Sequence, residues 1–119
     1  MDGLIISNTT IDRPGLLKSP NAQEAGGLSG APLMAPSTAV LSDMYKRTKG
    51  QLPLIGVGGV ASGRDAYAKI RAGACAVQLY TALIYQGPGL VKTIKQDLAY
   101  LLRRDGYRSV KDAIGADHF

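Results

Sequence analysis

The chain has 119 residues, 45% hydrophobic and 19% charged, with a formal net charge of +5. That length allows one modest core, and the composition excludes disorder, low complexity and a collagen-like repeat. The basic residues are dispersed over Lys46-Arg47-Lys49, Arg64-Lys69-Arg71, Lys92-Lys95 and Arg103-Arg104. Each group reads as a solvated helix face rather than the concentrated stripe of a nucleic-acid footprint, so no nucleic-acid partner is expected, while anionic ligands stay compatible.

In chain order, Leu4-Ile5-Ile6 is a short continuous apolar run that turns polar at Ser7-Asn8-Thr9-Thr10. It reads as a strand covered on both faces. The chain opens into it at Asp2-Gly3 without the charged flank and cleavage site of a signal peptide. A long Gly-, Pro-, Ser- and Asn-rich loop is expected up to Pro36, followed by a helix carrying Val40, Leu41, Met44 and Tyr45, with Gly50 as its stop.

The second unit repeats the plan. Leu52-Pro53-Leu54-Ile55-Gly56-Val57 reads as a buried strand ending in Gly58-Gly59, and Ser62 is a good N-cap for a helix running through Ala66 and Ile70 to Gly73. Asp65 would sit at the positive end of that helix dipole. In the third, Ala76-Val77-Gln78-Leu79 breaks at Tyr80-Thr81, and a short helical piece, Ala82-Leu83-Ile84, precedes Gly87-Pro88-Gly89. The clearest helix follows. It places Leu90, Val91, Ile94, Leu98, Leu101 and Leu102 on one face and Lys92, Lys95, Gln96, Arg103 and Arg104 on the other, ending at Asp105-Gly106.

Cys75, the single cysteine, lies in an apolar run and is expected to be a buried small hydrophobe. No apolar run approaches the roughly 18 residues of a membrane span, so any membrane or targeting segment is expected outside this chain.

Strand–helix alternation with near-continuous apolar strands predicts an α/β fold with a parallel sheet. Three such units would leave two bare edges, which invite self-association or pairing with further strands. A complete (βα)₈ barrel takes roughly 250 residues, so these units are expected to be the last three of such a barrel. A small flavodoxin-like sheet is the alternative.

Ligands of parallel α/β folds gather at the C-terminal ends of the strands. The polar and glycine-rich residues fall there: Ser7-Asn8-Thr9, Gly58-Gly59 and Tyr80-Thr81. Gly58 and Gly59 could bring amides to a phosphate, with Thr81 and the first amides of the short helix completing the cradle; paired glycines also simply turn a chain. The Asn8 amide both donates and accepts, which suits a planar ring of alternating C=O and N–H groups, but Asn-Thr is also turn material. No residue reads as a catalytic base. His118, the lone histidine, sits beside the C-terminus.

Taken together, the runs Asp2–Thr10 (DGLIISNTT), Gly26–Gly30 (GGLSG), Ile55–Val60 (IGVGGV) and Gln78–Leu83 (QLYTAL) resemble the class 2, quinone-dependent dihydroorotate dehydrogenases, and Asp112–His118 (DAIGADH) resembles their animal-type members. The resemblance covers essentially the whole chain. It implies that residues 1–119 are the C-terminal part of a single FMN-binding (βα)₈ TIM-barrel domain whose N-terminal half is not in this chain. By this resemblance the parent would oxidise dihydroorotate to orotate in pyrimidine biosynthesis and pass electrons to ubiquinone at the mitochondrial inner membrane, with membrane contact through the missing N-terminal segment.

By the same resemblance, Ser7, Ser29, Gly30, Val57, Gly58, Gly59, Leu79, Tyr80 and Thr81 would surround FMN, with Gly59, Tyr80 and Thr81 at its phosphate. Asn8 and Thr9 would hydrogen-bond the substrate ring, and Tyr80, Leu83, Ile84 and Pro88 would border the quinone. Gly89 stands where the family commonly has a second proline. The family's serine base has no counterpart here, so the isolated chain is expected to be inactive. The competing expectation is a non-catalytic half-barrel that binds a phosphate, FMN or a partner chain.

Overall fold

A computed structural model describes residues 2–8, 27 and 29–119. Three strands, β1 (Leu4–Ile6), β2 (Leu54–Val57) and β3 (Ala76–Gln78), form one parallel sheet in the order β1-β2-β3. Leu4 pairs with Leu54 and Ile6 with Gly56, while Gly56 pairs with Val77 and Val57 with Gln78. Bonds beyond the strand ends prolong both ladders: Leu4 N–H donates to Pro53 O at 3.0 Å, Ser7 N–H to Val57 O at 3.2 Å and Cys75 N–H to Leu54 O at 2.8 Å.

Helices α1 (Met34–Thr48) and α2 (Gly63–Ala72) follow the first two strands. A short α3 (Thr81–Gln86) and a long α4 (Gly89–Arg104) follow the third, and α5 (Val110–Ala113) lies in the C-terminal tail. The helix α1 begins earlier than expected. A single 3-10 turn, Ala31–Leu33, leads directly into it, and Pro36 falls within its first turn, where a missing N–H leaves no bond unmade. Ser62 caps α2 as expected: its hydroxyl accepts from Asp65 N–H at 3.1 Å, and the Asp65 carboxylate accepts from Ala61 N–H at 3.0 Å.

One face of the sheet is sealed by helices. Ile6 and Leu54 pack with Leu41, Ala72 and Ala74, and with the partly buried Leu4, Met44 and Tyr45. Burial of this set supplies the local drive for folding, at about 25 cal/mol per Å² of apolar surface. The opposite face is a correction to the expectation of strands covered on both sides. Ile5 is 60% exposed, and Ala76 and Gln78 are exposed too, because no second layer covers that face among the described residues. In a closed barrel that face is filled by side chains from the other strands.

Cys75 is exposed, contrary to its apolar neighbourhood, because it stands at the start of the edge strand β3. Val91 is also exposed, at 44%, although the helical pattern put it with Leu90. It lies about 100° around α4 from Leu90. Leu102 is turned as far from Leu101, yet it is buried, because Tyr67, Ile70 and Ala113 close over it.

The tail after Gly106 closes the far end of α2 and α4. Gly115 N–H donates to Ile70 O at 3.0 Å, and His118 Nε2 bonds Ala72 O at 2.8 Å while its ring stacks on Tyr45 with centroids 4.7 Å apart. Arg71 pairs with Asp117 at 2.7 Å. Tyr67 donates to Asp105 at 2.6 Å, and hydrogen bonds from Arg104 and Tyr67 hold the Asp105 carboxyl down to about 2. His118 is therefore a structural residue in this chain.

Candidate functional site

The C-terminal ends of all three strands open into one pocket of about 610 Å³. Its lining includes every residue assigned above to a cofactor: Ser7, Ser29, Gly30, Val57, Gly58, Gly59, Leu79, Tyr80 and Thr81. Asn8 lines it as well. Thr9, the other expected substrate residue, and most of the loop before residue 27 lie outside the described residues. Of the expected quinone residues, Tyr80 lines the pocket, while Leu83, Ile84 and Pro88 do not.

Parallel pairing brings residues far apart in sequence to this one end. Ser7 follows β1, Gly58 and Gly59 follow β2, and Leu79 to Thr81 follow β3. Two polar links tie the walls together. Ser29 Oγ and Thr81 Oγ1 are 2.7 Å apart, joining the segment before α1 to the start of α3. Gln86 Nε2, at the end of α3, reaches Ala61 O at 3.5 Å.

Gly58 and Gly59 have φ of 115° and 77°, a region L side chains rarely adopt. Their missing side chains also make room for α1. A Cβ on Gly59 would lie 2.4 Å from Met34 N, and one on Gly58 would lie 2.8 Å from Ser37 Oγ. The two glycines thus turn the chain and admit the first turn of α1 against the pocket floor. The double demand goes beyond the turn-or-phosphate choice posed by the sequence.

Behind the floor lies a group sequence reasoning missed. Lys69, on α2, is 0% exposed, and its Nζ donates to Ser37 Oγ. The single hydroxyl proton of Ser37 has two carbonyls within reach, Gly58 O at 3.0 Å and Met34 O at 3.2 Å. Burial pushes the Lys69 ammonium down to about 8, with the nearby Asp65 carboxylate pulling the other way. The available signal was Gly56: a Cβ there would meet Lys69 Cδ at 3.1 Å and Cβ at 3.2 Å, so a glycine inside a strand marked a close approach.

The outer wall is α3, which contributes no buried residue. Tyr80 is 74% exposed, Ile84 63% and Tyr85 84%. These three side chains give the pocket rim an exposed apolar character. Among the described residues there is no group of acidic, cysteine and histidine side chains suited to hold a metal ion. No helix among them is long and apolar enough to cross a membrane.

Comparison with known proteins bears on these features. The family model described as dihydroorotate dehydrogenase matches residues 1–102. The chain is 65% identical over 117 residues to the dihydroorotate dehydrogenase (quinone) of Parvibaculum lavamentivorans, covering 98% of this chain and 34% of that protein. It is 60% identical over 119 residues to the mitochondrial dihydroorotate dehydrogenase (quinone) of Arabidopsis thaliana, covering 99% of this chain and 26% of the other. The crystal structure of DHODH from Eimeria tenella in complex with ferulenol superposes with a TM-score of 0.96 at 53% identity, over 98% of this chain and 31% of that one.

The chain thus spans about a quarter to a third of the length of these relatives. The three βα units are consistent with part of a TIM barrel. The curated relatives are bacterial and plant proteins, so the expected animal-type subdivision finds no support among them. The chain belongs to the dihydroorotate dehydrogenase family.

Proposed function

We propose, from that membership, that the chain is the C-terminal part of an FMN-dependent dihydroorotate dehydrogenase of the quinone type, and that it supplies about half of the cofactor site. One observation carries this reading: the residues matched to the FMN positions all line a single cavity. A volume of about 610 Å³ falls within the range of cofactor pockets, on the order of 300–1,000 Å³. The floor carries two left-handed glycines and the rim carries the paired hydroxyls of Ser29 and Thr81, which suit a ligand with an anionic tail and a flat apolar body.

In this proposal FMN, when bound, would supply the hydride-accepting chemistry for dihydroorotate and the electron transfer to a quinone, the substrate's proton going to a base outside this chain. The chain's own residues bind and orient. Gly59, Tyr80 and Thr81 hold the phosphate, Ser7, Val57 and Leu79 wall the ring, and Asn8 and Thr9 recognise the substrate's alternating carbonyl and N–H groups. Tyr80, Leu83, Ile84 and Pro88 border the quinone, in keeping with the exposed apolar cluster on α3. The catalytic base comes from a segment outside these residues, as does the membrane contact. The free edges of β1 and β3 pair with the remaining strands of the barrel. A mitochondrial location is suggested by the names of the Arabidopsis and rice relatives, and the inner membrane by the resemblance to the quinone-dependent family.

A chimera tests the proposal. This segment replaces the corresponding third of the Parvibaculum protein, to which it is 65% identical. The expected result is a yellow protein with one FMN per chain that reduces a quinone with dihydroorotate, while the 119-residue chain without the other strands shows no turnover. A soluble, folded chimera without flavin would sink the cofactor assignment.

A further inference from the structure

Among the described residues, Lys69 is the one charged side chain that is completely buried, and it lies outside the pocket lining. Removing an ammonium from water is costly unless it is paired, so a lysine here calls for a reason beyond packing. Its path is specific. The side chain leaves α2, passes Gly56 of β2, where a Cβ would crowd it at 3.1 Å, and ends on Ser37 of α1. Ser37 then holds the carbonyl of Gly58 at 3.0 Å. Three elements meet through one ammonium and one hydroxyl, and the last group in the relay belongs to the pocket floor.

The Gly58–Gly59 peptide is the kind most free to rotate, since neither residue has a Cβ to restrict it. In a planar trans peptide the carbonyl and the following N–H point in opposite directions. A carbonyl of Gly58 tied to Ser37 therefore turns the Gly59 N–H away from Ser37.

We propose that Lys69 is a positioning residue for anion binding: through Ser37 it locks the Gly58–Gly59 peptide in the one orientation that leaves the Gly59 amide available to a phosphate. The proposal rests on the reading of Gly59 as part of the phosphate site. The protonated ammonium makes Ser37 a better donor toward Gly58 O, because a charge-assisted bond polarises the hydroxyl. A neutral side chain at position 69 would leave Ser37 free to donate to Met34 O alone, which it already approaches at 3.2 Å.

The test uses the chimeric holoenzyme, stripped of flavin and titrated with FMN and with riboflavin, which lacks the phosphate. Wild type should prefer FMN strongly. Lys69→Met keeps the stem beside Gly56 and removes the charge; it should weaken FMN binding roughly tenfold, about the contribution of one charge-assisted bond, and leave riboflavin unchanged. The double variant Lys69→Met with Ser37→Ala, which removes the buried charge together with its partner, should do the same and decides the matter if Lys69→Met does not fold. Equal loss for both ligands, or loss for neither, overturns the proposal by reducing Lys69 to a packing residue. A wild-type protein that binds FMN and riboflavin equally overturns the phosphate reading itself, a result visible before any variant is made.

Discussion

α3 and the tail after Gly106 are both made of short helical pieces, yet they meet the rest of the molecule in opposite ways. α3 buries none of its residues and turns Ile84 and Tyr85 outward. The tail buries Ala113, donates from Gly115 to Ile70 O, bonds His118 to Ala72 O and lays the His118 ring on Tyr45. Short helices do not hold themselves together in water, so each depends on its partners. The tail has its partners within this chain. α3 is held through Ala82, which packs beside Leu90 and Ile94, and through the bonds of Thr81 and Gln86, while Ile84 and Tyr85 stay exposed. The back of the molecule is packed within the described residues, and the front leaves apolar side chains exposed.

Three substitutions can break or sharpen that contrast. The largest effect is expected from Gly59→Ala. The new Cβ would meet Met34 N at 2.4 Å in a backbone with φ of 77°, so the first turn of α1 must move off the pocket floor. A loss of about 2–5 kcal/mol is expected, together with loss of bound flavin, read as thermal unfolding and flavin absorbance of the chimera. A variant that melts like wild type and stays yellow would show that the floor is less tightly determined than its geometry implies.

Tyr45→Ala tests the back. The ring of Tyr45 stacks on His118 and fills the space over Gly73 and Gly115, where added Cβ atoms would come within 2.5 and 2.3 Å of it. Its removal should cost about 2–4 kcal/mol of stability while leaving flavin affinity unchanged in the protein that remains folded. A matching drop in affinity would mean that front and back are coupled.

The smallest effect on stability belongs to Tyr85→Ser on α3. Because Tyr85 is 84% exposed in this chain, the stability of the 119-residue chain should change by no more than about 0.5 kcal/mol, and the quinone reading is taken on the chimera. If α3 borders the quinone, the KM for quinone should rise while the KM for dihydroorotate does not. A stability loss comparable to that of Tyr45→Ala would place Tyr85 in the packing and remove the contrast between the two regions.

The front of the molecule was the more legible in sequence. Continuous apolar runs marked β1, β2 and β3, and the polar and glycine residues after them marked the pocket, because a parallel sheet brings those ends together whatever the helices do. The back was not legible. Nothing in the spacing of His118, Tyr45 and Ala72 announces a stack and a carbonyl bond between residues so distant in sequence. Lys69 read as part of a solvated basic face because of its charge, although it stands three residues from both Ala66 and Ala72 on the buried stripe of α2, where the glycine at position 56 makes room for it.

By itself the sequence determined the alternation of strands and helices, the cap at Ser62, the ends of α2 and α4, and the kinds of residue that arrive at the strand ends. These depend on local periodicity and on backbone preferences that neighbours in sequence enforce. Only the tertiary structure decided which apolar residues are covered. Leu102 is closed over by the tail and Val91 is not, Cys75 is left on an open edge, and Lys69 is sealed behind the pocket floor. Burial depends on what lies across from a side chain, and that is settled by the packing of distant segments rather than by the run of residues around it.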